Sequence, residues 1–192
     1  MLVGKKALLL TPLFLFRSKF VLSPRTITGI MAEFSITVTG VSLKKSELSK
    51  SDLELLQSAE NASKNAYAPY SQFFVGAALR LAKGDVILGT NQENVAYPSG
   101  LCAERVALFS ASTNYPNEPV DTMAITVNTA KTVLTEPLSP CGNCRQVIME
   151  YQNKQKSPIR LILGGQGDTV WIFKDSAALL PFGFEAEYLK GE

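Results

Sequence analysis

All three thiols of this 192-residue chain lie in two short segments, CAE at 102–104 and PCGNC at 140–144, and the chain has no histidine. Cys141 and Cys144 are spaced so that, at a helix start, both sulfurs reach one side of the first turn. Alone, that pair reads equally as a redox motif, half of a structural zinc site or two packed thiols. Cys102 supplies a third sulfur. Zinc favours four ligands, and a catalytic zinc commonly takes three from protein and leaves the fourth place to water. Three thiols with nothing else suitable in the chain match that stoichiometry, so one Zn2+ on Cys102, Cys141 and Cys144 is expected.

Glu104 follows Cys102 by two positions. On a helix such residues project about 200° apart and cannot meet across a flank. Both can reach an ion just beyond the helix end if Cys102 has not adopted helical dihedrals. The ion is therefore expected between the amino-terminal ends of two helices, whose dipoles stabilise thiolate. Zinc can lower the pKa of a bound water toward ~7, and a neighbouring carboxylate can take its proton and deliver it to substrate. That makes Glu104 the general acid/base candidate. A glutamate that merely suits the helix dipole is the plainer alternative, and it loses weight beside three thiolates with an open fourth place. Three thiolates leave a charge of −1 around the ion, which Arg105 and Arg145 could offset. Arginines are otherwise mostly solvated surface charges.

These residues need rigid elements to hold them. Hydrophobic residues make up 46% of the chain, enough for a proper core in one domain. The net charge is +2 with both signs interspersed, so no basic face suits long nucleic acid. An odd cysteine count with one close pair suits a reducing compartment, and a cytoplasmic location is expected. The apolar run from Ala7 to Phe16 falls far short of the roughly 20 residues of a membrane span. No small-residue cleavage pattern follows it. Residues 1–30 are expected to be a leader, disordered or absent from the native protein, and 31–192 the folded domain.

Loose alternation over 34–43 predicts an edge strand, and SKSDLELLQSAENASKNA at 49–66 a first helix capped by Ser51, with Leu53, Leu56 and Ala59 at helical spacing. FFVGAALRLA, the turn KGD and VILGT predict an antiparallel hairpin. A second helix is expected over Cys102–Ser112, with Val106, Ala107 and Phe109 on one side, and a buried strand over 122–129. A third helix is expected over Cys141–Tyr151, opened by Pro140. RLILGG and TVWIFK read as two further strands, and DSAALLPFGF holds a short helix ending near Pro181. Helices alternating with buried strands predict an α/β fold, a three-layer α/β/α sandwich on a mixed sheet of about five strands.

CAERVALF followed by PCGNCRQV resembles the zinc signature of small cytidine deaminases acting on free nucleosides, and AYAPYSQFFVGAAL and NQENVAY resemble two further segments of that family. The likeness spans about residues 50–185. It implies hydrolysis of cytidine and deoxycytidine to uridine and deoxyuridine plus ammonia, in pyrimidine salvage. It implies zinc ligation by Cys102, Cys141 and Cys144, proton shuttling by Glu104, and a hydrogen bond from Arg105 to ligand sulfur. Asn91 and Glu93, two apart in an extended segment, share a face and suit paired sugar hydroxyls, and the family uses the matching positions for ribose. Phe73 matches the residue packed against the pyrimidine, although a lone strand aromatic is by default core. Ala103 would give backbone contacts to the base. The family's small members are homotetramers, and Tyr97 and Phe184 match residues crossing between subunits; both read equally as intrachain core. GGQGD at 164–168 joins two strands and opens no helix, so it reads as a turn and not a phosphate cradle. Two other readings stand beside this one: a deaminase of a related aminopyrimidine nucleoside such as a blasticidin-type antibiotic, and a non-catalytic zinc module, which would need a fourth protein ligand.

Overall fold

The computed structural model describes residues 33–190, so the expected leader at 1–30 lies outside the described residues. Six strands form one sheet: β1 (Val41–Lys44), β2 (Phe73–Leu81), β3 (Val86–Thr90), β4 (Val120–Thr129), β5 (Arg160–Leu163) and β6 (Thr169–Phe173). Their order across the sheet is β1-β6-β5-β4-β2-β3. Only β4 and β5 run parallel; every other neighbouring pair is antiparallel. Three α-helices flank the sheet: α1 (Lys50–Ser63), α2 (Ala103–Asn114) and α3 (Gly142–Gln155).

The two-residue period of a strand sorts side chains between the faces. Ala77, Leu79 and Leu81 of β2, Met123, Ile125 and Val127 of β4 and Leu161 and Leu163 of β5 join α2 and α3 in the larger core. The alternate residues Ala78, Ala124 and Ile162 join Leu55, Leu56 and Ala59 of α1 in the smaller one. The expected three-layer sandwich is what forms, with six strands.

Several local expectations shift. Residues 34–40 form no regular element, and strand pairing begins at Val41. The earlier residues pack instead: Val38 lies against the larger core and the Phe34 ring stands edge-on to Phe182 at 6.1 Å. The cap of α1 is Ser49, whose hydroxyl accepts the Asp52 N–H at 3.2 Å, so Ser51 falls inside the first turn and the buried face runs through Leu55, Leu56, Ala59 and Ala62. The buried face of α2 is Ala103, Ala107, Leu108 and Ala111, whereas Phe109 is exposed. Small residues are required there because α2 lies directly on Gly89 of β3. A Cβ at Gly89 would sit 2.3 Å from the Ala103 carbonyl oxygen and 2.5 Å from the Ala107 nitrogen. Cys141 caps α3, which places Pro140 one residue before the cap, outside the helix. The short helix near the carboxyl end is a 3-10 turn over Ser176–Leu179.

Candidate active site

Cys102 is the cap residue of α2 (φ −75°, ψ 154°) and Cys141 that of α3 (φ −66°, ψ 165°); both are extended, as the Cys-Ala-Glu spacing requires of Cys102. Neither side chain caps its own helix, so both sulfurs are free to turn toward the space between the two helix starts. Cys144, in the first turn of α3, is fully buried and completes the set. The Cys102 and Cys141 sulfurs are 3.9 Å apart, and all three lie within 4.8 Å of one another. Tetrahedral zinc with Zn–S bonds of about 2.3 Å holds its sulfurs about 3.8 Å apart. The donor set and its spacing therefore fit a soft divalent cation, with no carboxylate in the cluster.

The electrostatics favour thiolate at Cys102. A hydrogen bond from the Cys144 thiol, joined by Arg105 and Cys141 and opposed by burial, pulls Cys102 down to about 5. Cys144 moves up, because it holds the shared proton against Cys102, is buried, and faces the charges of Glu104 and Cys102. Arg105 points its Nη2 at the Cys102 sulfur at 3.8 Å and at the Gly100 carbonyl at 3.4 Å. Its Nε is buried and makes no hydrogen bond among the described residues. Arg145 does something else. It donates to the Pro140 and Leu179 carbonyls at 2.8 and 3.0 Å and to the Ser139 hydroxyl at 3.1 Å, clamping the loop before α3. Glu104 is only 4% exposed. Burial raises its pKa and the Cys102 charge adds to this, against hydrogen bonds from its own backbone N–H and from Cys144.

Beside the cysteines lies a cleft of about 480 Å³ whose walls include Asn91, Glu93, Tyr97, Cys102 and Arg105. Residues 91–93 are extended and paired on both sides, with Tyr67 on one and Leu101 on the other. Asn91 and Glu93 consequently project the same way, toward the segment leading into β2. The Asn91 amide donates to the Phe73 carbonyl and accepts from the Val75 N–H, each at 2.8 Å. The Glu93 carboxylate accepts from the Tyr70 and Ser71 N–H groups at 2.9 and 3.2 Å and from the Ser71 hydroxyl. The Ser71 hydroxyl is the largest influence holding Glu93 below the usual carboxylate range; slight burial opposes it, and the two N–H groups and the Lys131 charge add to it.

Of the remaining expected residues, Phe73 is half-buried and packs against the larger core. Ala103 is fully buried against Gly89. Tyr97 and Phe184 are 82% and 57% exposed, which removes the intrachain-core reading for both. Gln146 grips the Phe184 backbone on both sides, donating to its carbonyl at 2.6 Å and accepting its N–H at 3.0 Å. The GGQGD turn proves to be a seat. A Cβ at Gly165 or Gly167 would meet the carbonyls of Glu136 and Thr135 at 2.5 and 2.3 Å, and Gln166 exchanges backbone and side-chain hydrogen bonds with Leu134. The loop that delivers Cys141 rests there. Ser71, Gly89, Gln146 and this seat escaped the sequence reading; a glycine inside a strand was the one available signal, for Gly89.

Residues 49–157 match the sequence family described as the cytidine and deoxycytidylate deaminase zinc-binding region. The chain belongs to that family. It is 43% identical over 134 residues to a cytidine deaminase of Halalkalibacterium halodurans, covering 69% of this chain and 93% of the relative. A cytidine deaminase of Sporosarcina psychrophila is 37% identical over 136 residues, with 71% and 93% covered. The crystal structure of cytidine deaminase from Burkholderia pseudomallei superposes with a TM-score of 0.59 at 40% identity, covering 68% of this chain and 97% of that one. The family match runs from α1 to the end of α3 and so contains every cysteine, whereas β1, β5 and β6 lie outside it. Among the described residues, no helix is long and apolar enough to cross a membrane.

Proposed function

We propose that this deaminase hydrolyses cytidine and deoxycytidine to uridine and deoxyuridine, releasing ammonia, in pyrimidine salvage. The observation that carries the reading is the pairing of a three-sulfur cluster with Glu104, a carboxyl buried beside it yet outside it. A purely structural zinc site would close its fourth place with a protein ligand, and the cluster offers only three. Cys102, Cys141 and Cys144 would hold one Zn2+ per chain, and that ion supplies Lewis-acid activation of water when bound. Burial keeps the Glu104 carboxyl basic enough to take one proton from the attacking water and give it to N3 of the pyrimidine, and then to carry the second, from the hydroxyl so added, to the leaving amine. The balance is one water consumed and one ammonia released. Arg105 offsets thiolate charge through the Nη2 it points at the Cys102 sulfur.

Phe73 lies against the pyrimidine and Ala103 meets it with backbone groups. Asn91 and Glu93 take the sugar hydroxyls, each keeping hydrogen-bonding capacity beyond its internal partners. Tyr97 and Phe184 complete the cleft of a neighbouring subunit in a homotetramer, a role their exposure supports. The free thiols suit a cytoplasmic protein, and no basic face suits long nucleic acid.

The test is ammonia release from cytidine, deoxycytidine and a blasticidin-type antibiotic, with zinc content measured on the same sample. Glu104→Gln should keep its zinc and lose about 10²- to 10⁴-fold in kcat. Unchanged turnover in that variant would remove Glu104 from the mechanism, and release from the antibiotic alone would reassign the substrate.

A further inference from the structure

The segment before β2 has a hydrogen-bonding hub that the reaction as described leaves unused. The Ser71 hydroxyl has one proton to give and two lone pairs. It accepts the Phe73 N–H at 3.0 Å, which turns its own proton toward Glu93 Oε1. Glu93 Oε2 is filled by the Tyr70 and Ser71 N–H groups. Of about four acceptor positions on a carboxylate, three are thus occupied from one turn of chain, leaving about one for a ligand.

That turn is held in an unusual conformation. Gln72 has φ 56°, in the left-handed region, with its N–H on the Ala68 carbonyl at 3.0 Å. Such strain in a non-glycine residue persists where the surroundings enforce it, and it concentrates at functional sites. The peptide groups of Phe73 are gripped from both sides, the N–H by Ser71 and the carbonyl by Asn91. Glu93, Phe73 and Asn91 therefore form one bonded unit with Ser71 at its centre.

We propose that Ser71 is a positioning residue for substrate recognition: its hydroxyl aims the single free acceptor of Glu93 at a sugar hydroxyl and fixes that carboxylate relative to Phe73. The proposal rests on the nucleoside deaminase reading above. It assigns Ser71 to the sugar and not to the chemical step, so its loss acts on KM and spares kcat. A charge-assisted hydrogen bond of this kind corresponds to about 10- to 100-fold in binding.

Steady-state kinetics of wild type, Ser71→Ala and Ser71→Thr with cytidine and with 2′,3′-dideoxycytidine test it, with zinc content and thermal midpoint recorded for each protein. Ser71→Ala should raise KM for cytidine about 10-fold or more with kcat within about threefold. Its kcat/KM for the dideoxynucleoside, which has no hydroxyl for Glu93 to read, should fall less than about threefold. Ser71→Thr, which keeps the hydroxyl, should restore cytidine binding. Equal losses on both nucleosides, or a loss in kcat alone, would overturn the positioning role while leaving the deaminase reading intact. A wild-type protein that turns over neither nucleoside overturns both.

Discussion

Replacing Gly89 by alanine tests how the reactive end of α2 is held in place. Gly89 is buried in β3 opposite Ala77, with helix α2 directly against it. The added methyl would stand 2.3 Å from the Ala103 carbonyl oxygen, 2.5 Å from the Ala107 nitrogen and 2.8 Å from the Ala107 methyl. Two of these three atoms are helix backbone, so no side-chain rotation relieves the clash. Comfortable contact begins near about 3.5 Å, so the helix must retreat by about 1 Å. Cys102, Ala103, Glu104 and Arg105 occupy the cap and first turn of α2 and move with it. Overpacking of this kind costs about 1–3 kcal/mol, and a displacement of about 1 Å at reacting groups costs about 10²-fold in rate. Urea unfolding, zinc content and kcat/KM for cytidine measure the three consequences on one sample. Gly142→Ala is the control for stability, since a Cβ there meets nothing within 4 Å; it should be neutral or stabilising by about 0.4–1 kcal/mol. A Gly89→Ala protein with full zinc and activity within about threefold of wild type would refute the reasoning.

Cys141→Ala should lose metal and stability together, because metal binding is linked to folding; retained stoichiometric zinc by elemental analysis would contradict this. Gly167→Ala drives a methyl against the Thr135 carbonyl beneath the loop leading to Cys141, and should lower thermal stability by about 1–3 kcal/mol and weaken zinc retention in a chelator titration. Asp52→Ala removes the carboxylate that accepts two Arg160 N–H bonds at 2.8 and 2.9 Å, at a cost of about 2 kcal/mol in chemical denaturation at neutral pH. Burial alone would raise the Asp52 pKa; hydrogen bonds from Arg160 and at Ser49, with the charges of Arg160 and Arg80, outweigh it and leave the group below 3.8. The stability Asp52 supplies is therefore complete above 3.8 and lost as pH falls through the lower folded value, a slope the variant should lack in an acid titration of unfolding.

The layers of the fold were legible because β2, β4 and β5 are nearly continuous apolar runs, as strands covered on both faces are, and their consecutive residues divide between the two cores. The cysteine cluster was legible because cap positions follow from the Cys-Ala-Glu spacing and helix geometry. What stayed hidden depends on tertiary partners. Nothing near Ser49 or Ser51 indicates which one caps α1 until the chain from β1 is placed. The alternation over 34–43 ends in packing on Phe173 and Phe182, since a Cβ at Gly40 would come within 2.8 Å of the Phe173 ring. Arg145 reads as a counter-charge from its place beside Cys144, yet three acceptors on neighbouring loops claim its guanidinium. Likewise Asn91 and Glu93 look like two free polar groups in a line of sequence, and their bonds to 70–75 exist only once β3 returns along β2.

Cys102 and Cys141 are separated by 39 positions along the chain, yet their sulfurs sit side by side. An ion bridging them is a removable cross-link that closes a long loop containing α2 and β4. By the chain-entropy estimate used for disulfides, a closure of that length restricts the unfolded ensemble by about 4 kcal/mol. Unlike a disulfide, such a staple would survive reducing conditions and could be withdrawn by a chelator, so the same three sulfurs proposed to prepare the reaction would set how long the chain stays folded.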